Sequence, residues 1–253
     1  DLHSFPTRRS SDLPNNAILV VAGDVDAAEL RPLAERYYGR LRPTRDLPSR
    51  TWVSDPPAIG PMRVTHRDEK VRQPSMSRIY RATSYGTDEG RQAHALDVAV
   101  EILGGSETSR LYRALVEDQH IAVSAGASAN TSGLGGGSAS VWATPAEGFT
   151  LEQVEAAADA VIATFLRDGP TAAELARAKS SLAAAAVYSR DSQETLANVY
   201  GASLAQGESI DDVVNWANDV EAVTHDEALT LARQTFDINQ SVTGWLLPEE
   251  GAE

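Results

Sequence analysis

Five histidines, a scatter of serines and no cysteine are what this 253-residue chain offers for metal or nucleophilic chemistry, and their spacing decides which reactions are open to it. A catalytic zinc needs about three protein ligands and one open position. The histidines stand at His3, His66, His94, His120 and His225, with no two within four residues of each other, so no two make a helical ligand pair. His94 and Asp97 share one face of an expected helix, which gives two ligands and no third. The pair reads as exposed polar helix surface. His225, within Thr224-His-Asp-Glu, reads as a first-turn residue of a capped helix. The absence of cysteine removes thiolate nucleophiles, thiolate metal sites and disulfides together. Ser124, Ser180 and Ser181 have no His/Asp partner in the local sequence with which to build a triad. The segment Gly133-Leu-Gly-Gly-Gly137 would cradle a phosphate only by opening into a helix N-terminus, usually with a Lys. It leads into an alternating run instead and reads as a hairpin arm. No metal ligand, catalytic residue or cofactor site is therefore assigned.

The elements that would position these residues are marked more clearly than any site. Ala17–Ala22 (AILVVA) is a compact apolar run before Gly-Asp, the profile of a buried strand. Asp26–Leu41 puts Leu30, Leu33, Ala34 and Tyr37 on one helical face. From Arg42 to Pro61 prolines recur at 43, 48, 56, 57 and 61 without periodicity, as in a semi-extended linker. Strands are expected at Met62–His66, Met76–Thr83, Ile121–Ala129, Gly137–Ala143 and Ser241–Leu247. A helix is expected over Glu89–Leu103, where Ala93, Leu96, Val100 and Leu103 recur at three- and four-residue spacing. Gly104-Gly105 ends it, in the left-handed conformation glycine tolerates. Thr150/Gln153, Thr171/Glu174, Asp191/Glu194 and Thr224/Glu227 fit the capping box, in which a side-chain oxygen accepts from a free N–H and the acid or amide reaches back. Gly169-Pro170 closes the first of these helices. Runs of strands and helices in this order predict an α+β domain, a mainly antiparallel sheet with helices packed on one face.

Composition narrows the classes of function. At 42% apolar and 23% charged residues the chain is an ordinary folded protein. No apolar run approaches the roughly 18 residues of a membrane span. A net charge of −14 disfavours nucleic acid as a partner, because phosphates are neutralised by clustered Lys and Arg.

One block is specific. Within ILGGSETSRLYRALVEDQHIAVSA (102–125), Leu103, Gly104, Gly105, Ser109, Arg110, Leu111, Tyr112 and Leu115 match a signature of the second half of insulinase/pitrilysin-type zinc metallopeptidases. The resemblance runs from Pro14 to about Pro248: the NNAILVVAGDV strand, the 26–41 helix, the linker and Gln73-Pro74 before a strand follow the family's order. It implies two similar α+β halves facing across a cavity. The first carries an H-x-x-E-H motif whose histidines, with a further Glu, hold zinc, while the motif Glu serves as general base. This chain lacks the motif and so resembles the non-zinc half. Its partners would be peptide substrate and either the missing N-terminal half or a zinc-bearing subunit, with zinc expected in that other half.

In many such proteins the second half also supplies an Arg and, seven positions on, a Tyr that stabilise the developing oxyanion. Aligned through SRLY, those positions hold Val116 and Val123, which cannot donate a hydrogen bond. They would pack in the core or line an apolar cavity wall. Arg113 lies nearby but at another helical azimuth. Two readings stay open: half of a metallopeptidase that encloses peptide, or a catalytically silent homologue serving as partner subunit or scaffold. Asp1–Leu13 (DLHSFPTRRSSDL) resembles translated sequencing-adapter sequence, so native sequence is expected from about Pro14. The expected organisation is a non-native or disordered tail at 1–13, the end of the missing half at 14–42, a linker at 43–61 and the metallopeptidase-like domain at 62–253. Composition leaves the compartment open between periplasm and cytoplasm; the resemblance alone points to the periplasm.

Overall fold

The computed structural model describes residues 13–43, 47, 60–87 and 91–249. All but the last residue of the expected tail and most of the expected linker thus lie outside the described residues, and so do Glu89 and Gly90 at the start of the first predicted long helix.

The described elements run in order as α1 (Ala27–Tyr37), β1 (Met62–Asp68), β2 (Ser75–Ala82), α2 (Arg91–Gly104), α3 (Arg110–Tyr112), β3 (Ala122–Asn130), β4 (Gly137–Pro145), α4 (Leu151–Asp168), α5 (Ala172–Ser189), α6 (Gln193–Ala205), α7 (Ile210–Ala222), α8 (His225–Thr235) and β5 (Ser241–Pro248). The five strands form one sheet in the order β1-β5-β2-β4-β3. Only β1 and β5 pair in parallel; β5–β2, β2–β4 and β4–β3 are antiparallel. The fold is α+β, as the alternation and capping signals predict.

Strand alternation decides which face is covered. On β2, Met76, Arg78 and Tyr80 are buried while Ser77, Ile79 and Arg81 are exposed, the period of two that puts successive side chains on opposite faces. The register carries the same division across the sheet, with Val141 and Ala143 of β4 and Ala125 and Ala127 of β3 on the buried side. Against that side pack α2 on β3, α4 on β4 and α8 on β2. Leu96, Leu103, Leu111, Leu115, Val154 and Phe165 close the core between them.

Helix starts follow their capping residues. Thr150, Thr171 and Thr224 each take extended backbone and cap α4, α5 and α8 with the full reciprocal box. A further box, Ser209 with Asp212, starts α7 and has the same sequence signature. At α6 the cap is Ser192, whose hydroxyl accepts from Thr195 N–H at 3.2 Å, and not Asp191. Asp191 is held in the preceding turn by its own N–H donating to Tyr188 O.

Two local expectations are corrected. Ala17–Ala22 forms no strand, and Ile18, Leu19 and Val21 are exposed. A strand exists only by pairing, and no described strand pairs with this run. α1, which follows it, buries no residue. The glycines at the end of α2 are not left-handed. Gly104 is required by close approach: a Cβ there would lie 2.0 Å from Ala127 N on β3, whereas one on Gly105 would meet the movable end of the Glu101 side chain at 2.1 Å. Glycines that do follow a helix with positive φ are Gly169, at 74° after α4, and Gly207, at 93° just past the end of α6.

Candidate functional site: an uncovered sheet face and the turn beside it

The face of the sheet opposite the helices carries two cross-strand rows. Met62, Val242, Ile79, Ser140 and Ser128 form one; Val64, Gly244, Ser77, Trp142 and Gly126 form the next. Apolar side chains gather on the β1-β5-β2 side, where Val64 is 55% and Ile79 52% exposed. Hydroxyls gather on the β4-β3 side, with Ser128 and Ser140 hydrogen-bonded at 2.9 Å. The Trp142 ring lies over Gly126, where a Cβ would meet it at 2.5 Å. A face this apolar and unburied is unusual for a sheet with a packed core on one side only, and it can take an extended chain.

Of the two positions singled out by alignment, Val116 is half-buried against the core and Val123 is 52% exposed beside a bulge in the edge strand β3. They are not brought together as a donor pair. Around Val116 the backbone departs from a plain α-helix. α3 runs on as a π-turn over Arg113–Asp118, and His120 follows with φ 54°. Arg113 lines a groove in the helix layer with Asp118, Ala157 and Thr164.

The motif residue Arg110 is a clamp. Its Nε and Nη2 donate to both oxygens of Glu174 at 2.7 Å, and Nη2 also donates to Gly169 O at 2.8 Å. Its guanidinium sits 4.9 Å over the Phe165 ring. The bidentate pair holds the start of α5 and the end of α4 against α3, and it draws Glu174 down to about 2. The adjacent Ser109 is buried, and its hydroxyl has no hydrogen-bond partner among the described residues.

Behind the sheet, Arg78 is 1% exposed. It donates through Nε to Thr243 Oγ1 at 2.8 Å and through its two terminal nitrogens to Asp159 and Glu155 of α4. Glu155 also receives Arg63 Nη2 at 2.6 Å and Trp245 Nε1 at 3.0 Å. Burial alone would lower the Arg78 pKa, but the hydrogen bonds to Asp159 and Tyr80 more than offset it, so the guanidinium stays charged. This cluster joins β1, β2 and β5 to α4, with Arg78 and Glu155 buried at its centre and Arg63 and Asp159 half-exposed at its rim. Its role is structural.

The histidines are placed separately: His66 on β1 near Asp68, His120 exposed after the π-turn, and His225 in the first turn of α8 as expected, beside Asp226. His3 lies outside the described residues. No group of three potential metal ligands occurs among the described residues. The expectation for His94 and Asp97 is corrected. They do not lie on exposed helix surface: His94 is buried and Asp97 largely so. The Tyr85 hydroxyl donates to Asp97 Oδ2 at 2.5 Å, Thr131 donates to Oδ1 at 3.3 Å, and Trp216 Nε1 donates to the Tyr85 oxygen at 2.9 Å. The His94 ring meets Tyr85 edge-on at 4.9 Å. Aromatic residues distant in sequence fold over the pair, which local periodicity cannot foresee.

Burial raises Asp97 to about 6, partly offset by the Tyr85 and Thr131 hydroxyls. The folded state thus binds this proton more tightly than the unfolded state does. The associated stability is complete below the ordinary value of 3.8 and is lost as pH rises towards about 6. The full difference is at most about 3 kcal/mol. Asp97→Asn is expected to flatten urea-unfolding stability between pH 4 and 6 and to raise it at pH 7. An unchanged wild-type slope in the variant would assign the window to other groups. Glu174 has the opposite sign, its contribution being lost as pH falls from 4.5 towards 2.

The family model described as peptidase M16 inactive domain matches residues 13–182. Among solved structures, a protease from Helicobacter pylori superposes with a TM-score of 0.79 at 18% identity, covering 90% of this chain and 54% of that one. A peptidase M16 inactive domain from Pseudomonas fluorescens gives 0.69 at 18% identity, covering 90% and 52%. The periplasmic protease PqqL from Escherichia coli gives 0.64 at 20% identity, covering 90% and 25%. The chain thus spans about half the length of the first two structures and a quarter of the third. A comparison with curated proteins finds no match.

Proposed function

Because the chain belongs to the family of peptidase M16 inactive domains, we propose that it is the non-zinc half of an insulinase-like metallopeptidase, enclosing peptide substrate opposite a zinc-bearing half. The observation that carries this reading is the uncovered sheet face. Its apolar rows (Met62, Val64, Ile79, Val242) would take substrate side chains, and the hydroxyls of Ser77, Ser128 and Ser140 would face peptide groups. Zinc would be held by the other half and would supply the activated water. Residues 14–42 fit the end of that half. Exposed Ile18, Leu19 and Val21 and a helix with no buried residue are what an element looks like without its sheet. Residues 62–253 form the present half, and 43–61 the connection.

A second reading is favoured by one observation. Val116 and Val123 give no donor for an oxyanion, and a catalytically silent partner subunit or scaffold needs none. The two readings separate on mixing. The purified chain is combined with a zinc-bearing half encoded upstream or by a neighbouring gene, and cleavage of a quenched fluorescent peptide is followed. Chelator-sensitive cleavage by the mixture and by neither component supports the first reading, and a stable complex without cleavage supports the second. With neither complex nor cleavage, both fail. In an active mixture, Val116→Arg with Val123→Tyr is expected to change kcat/KM severalfold; an unchanged value would remove these positions from the cavity wall.

A further inference from the structure

A second, smaller cleft lies away from the sheet face, between the end of α5, α6 and α7. It holds about 260 Å³, below the roughly 300–1,000 Å³ of sites for drug-sized ligands, so it suits an occupant of a few heavy atoms. Leu196 and Val213 give it an apolar lining, and Tyr85, Tyr200 and Trp216 supply aromatic walls. Its polar groups are unevenly satisfied. Tyr85 and Trp216 spend their hydrogens on Asp97 and on each other. Glu208, which also lines the cleft near Ser203, has no cation within ion-pair distance among the described residues. Burial raises its pKa, Ser203 offsets part of that, and Asp212 adds to it. Arg190 stands on the cleft's lining, exposed, and forms no ion pair with it.

A carboxylate with no cation paired to it, beside three aromatic rings and an apolar lining, asks for a ligand that is cationic and carbon-bearing. A metal ion would not use the rings, and no three-ligand group is present among the described residues. We propose that this cleft binds a primary alkylammonium group, with the ammonium on Glu208 and the alkyl chain against Trp216 and Leu196. Cation–aromatic attraction adds to the ion pair in such a setting.

The probe is n-butylammonium, with n-butanol as its neutral counterpart at the same ionic strength. The readout is the indole N–H resonance of Trp216, assigned through Trp216→Phe, because that hydrogen bonds to Tyr85 at the cleft wall. A saturable shift with n-butylammonium is expected, with n-butanol at least tenfold weaker. Glu208→Gln keeps the shape and the Ser203 contact and should weaken binding at least tenfold. Acidification of the unmodified protein should release the probe as Glu208 gains its proton, which tests the same carboxylate without a variant. Equal binding of the alcohol, unchanged binding on acidification and in Glu208→Gln, or no saturable shift would each overturn the proposal.

Discussion

Replacing Arg78 by methionine should remove about 3–5 kcal/mol of folding stability, the range for breaking a buried ion pair from one side. The substitution leaves Glu155 with Arg63 as its one cation, strips Thr243 and Asp159 of their donor, and opens space at a residue 1% exposed. Because Arg63 still reaches Glu155, the lower end is expected. Removing Arg78 and both acids together, as Arg78→Met with Glu155→Leu and Asp159→Ala, should recover part of the loss, since no carboxylate is then left unpaired. Urea unfolding of both variants measures this. A single substitution costing under about 1 kcal/mol would mean that the cluster is solvated and the strands are held to α4 by apolar contact alone.

A comparable loss is expected from one methyl group. Gly104→Ala places a Cβ 2.0 Å from Ala127 N and 2.6 Å from the Ala127 Cβ. The first obstacle is strand backbone, which cannot rotate away as a side chain would, so α2 must lift from β3. The cost should reach or exceed about 3 kcal/mol, the upper end of overpacking, and the variant should be largely insoluble or unfold well below the parent. Gly244→Ala is the matched control. On β5 the added methyl meets its nearest atom, Ser77 O, at 3.6 Å, an ordinary contact, and stability should be unchanged or slightly higher because the unfolded chain loses freedom. Equal melting temperatures for the two variants would show that α2 and β3 can separate freely.

These two residues also mark where the sequence stops being legible. Strands, helices and most caps lie in local patterns, because alternation and three-to-four spacing are consequences of burying one face. Gly104 was visible as a helix end, but its requirement comes from a strand more than twenty residues away. Arg78 alternates correctly within β2, yet no local signal says that it points inward, because only the fold brings Glu155, Asp159 and Thr243 around it. His94 and Asp97 were recognised as a pair and misread as exposed, for the same reason: Tyr85, Thr131 and Trp216 arrive from three other segments. The SRLY block pointed to a place beside the sheet, and Arg110 within it proved to be a clamp between helices. The uncovered face is open in principle once helices are expected on the other, but that expectation does not say what lines it. Its apolar half depends on β1 and β5, whose pairing no local pattern encodes.

That pairing has a consequence for how the chain is made. β5, the last described strand, lies between β1 and β2 rather than at an edge. Met62 pairs with Val242 across 180 residues. During synthesis, which proceeds at about 5–20 residues per second, β1 must wait for β5, 180 residues on, before it has a neighbour, and one edge of β2 stays bare until then. Contacts so distant in sequence slow folding, and a bare strand edge invites pairing with other chains. A nascent chain arrested before Ser241 should therefore hold the β2-β4-β3 hairpins with β1 unattached, and the sheet should close only once Pro248 has cleared the ribosome.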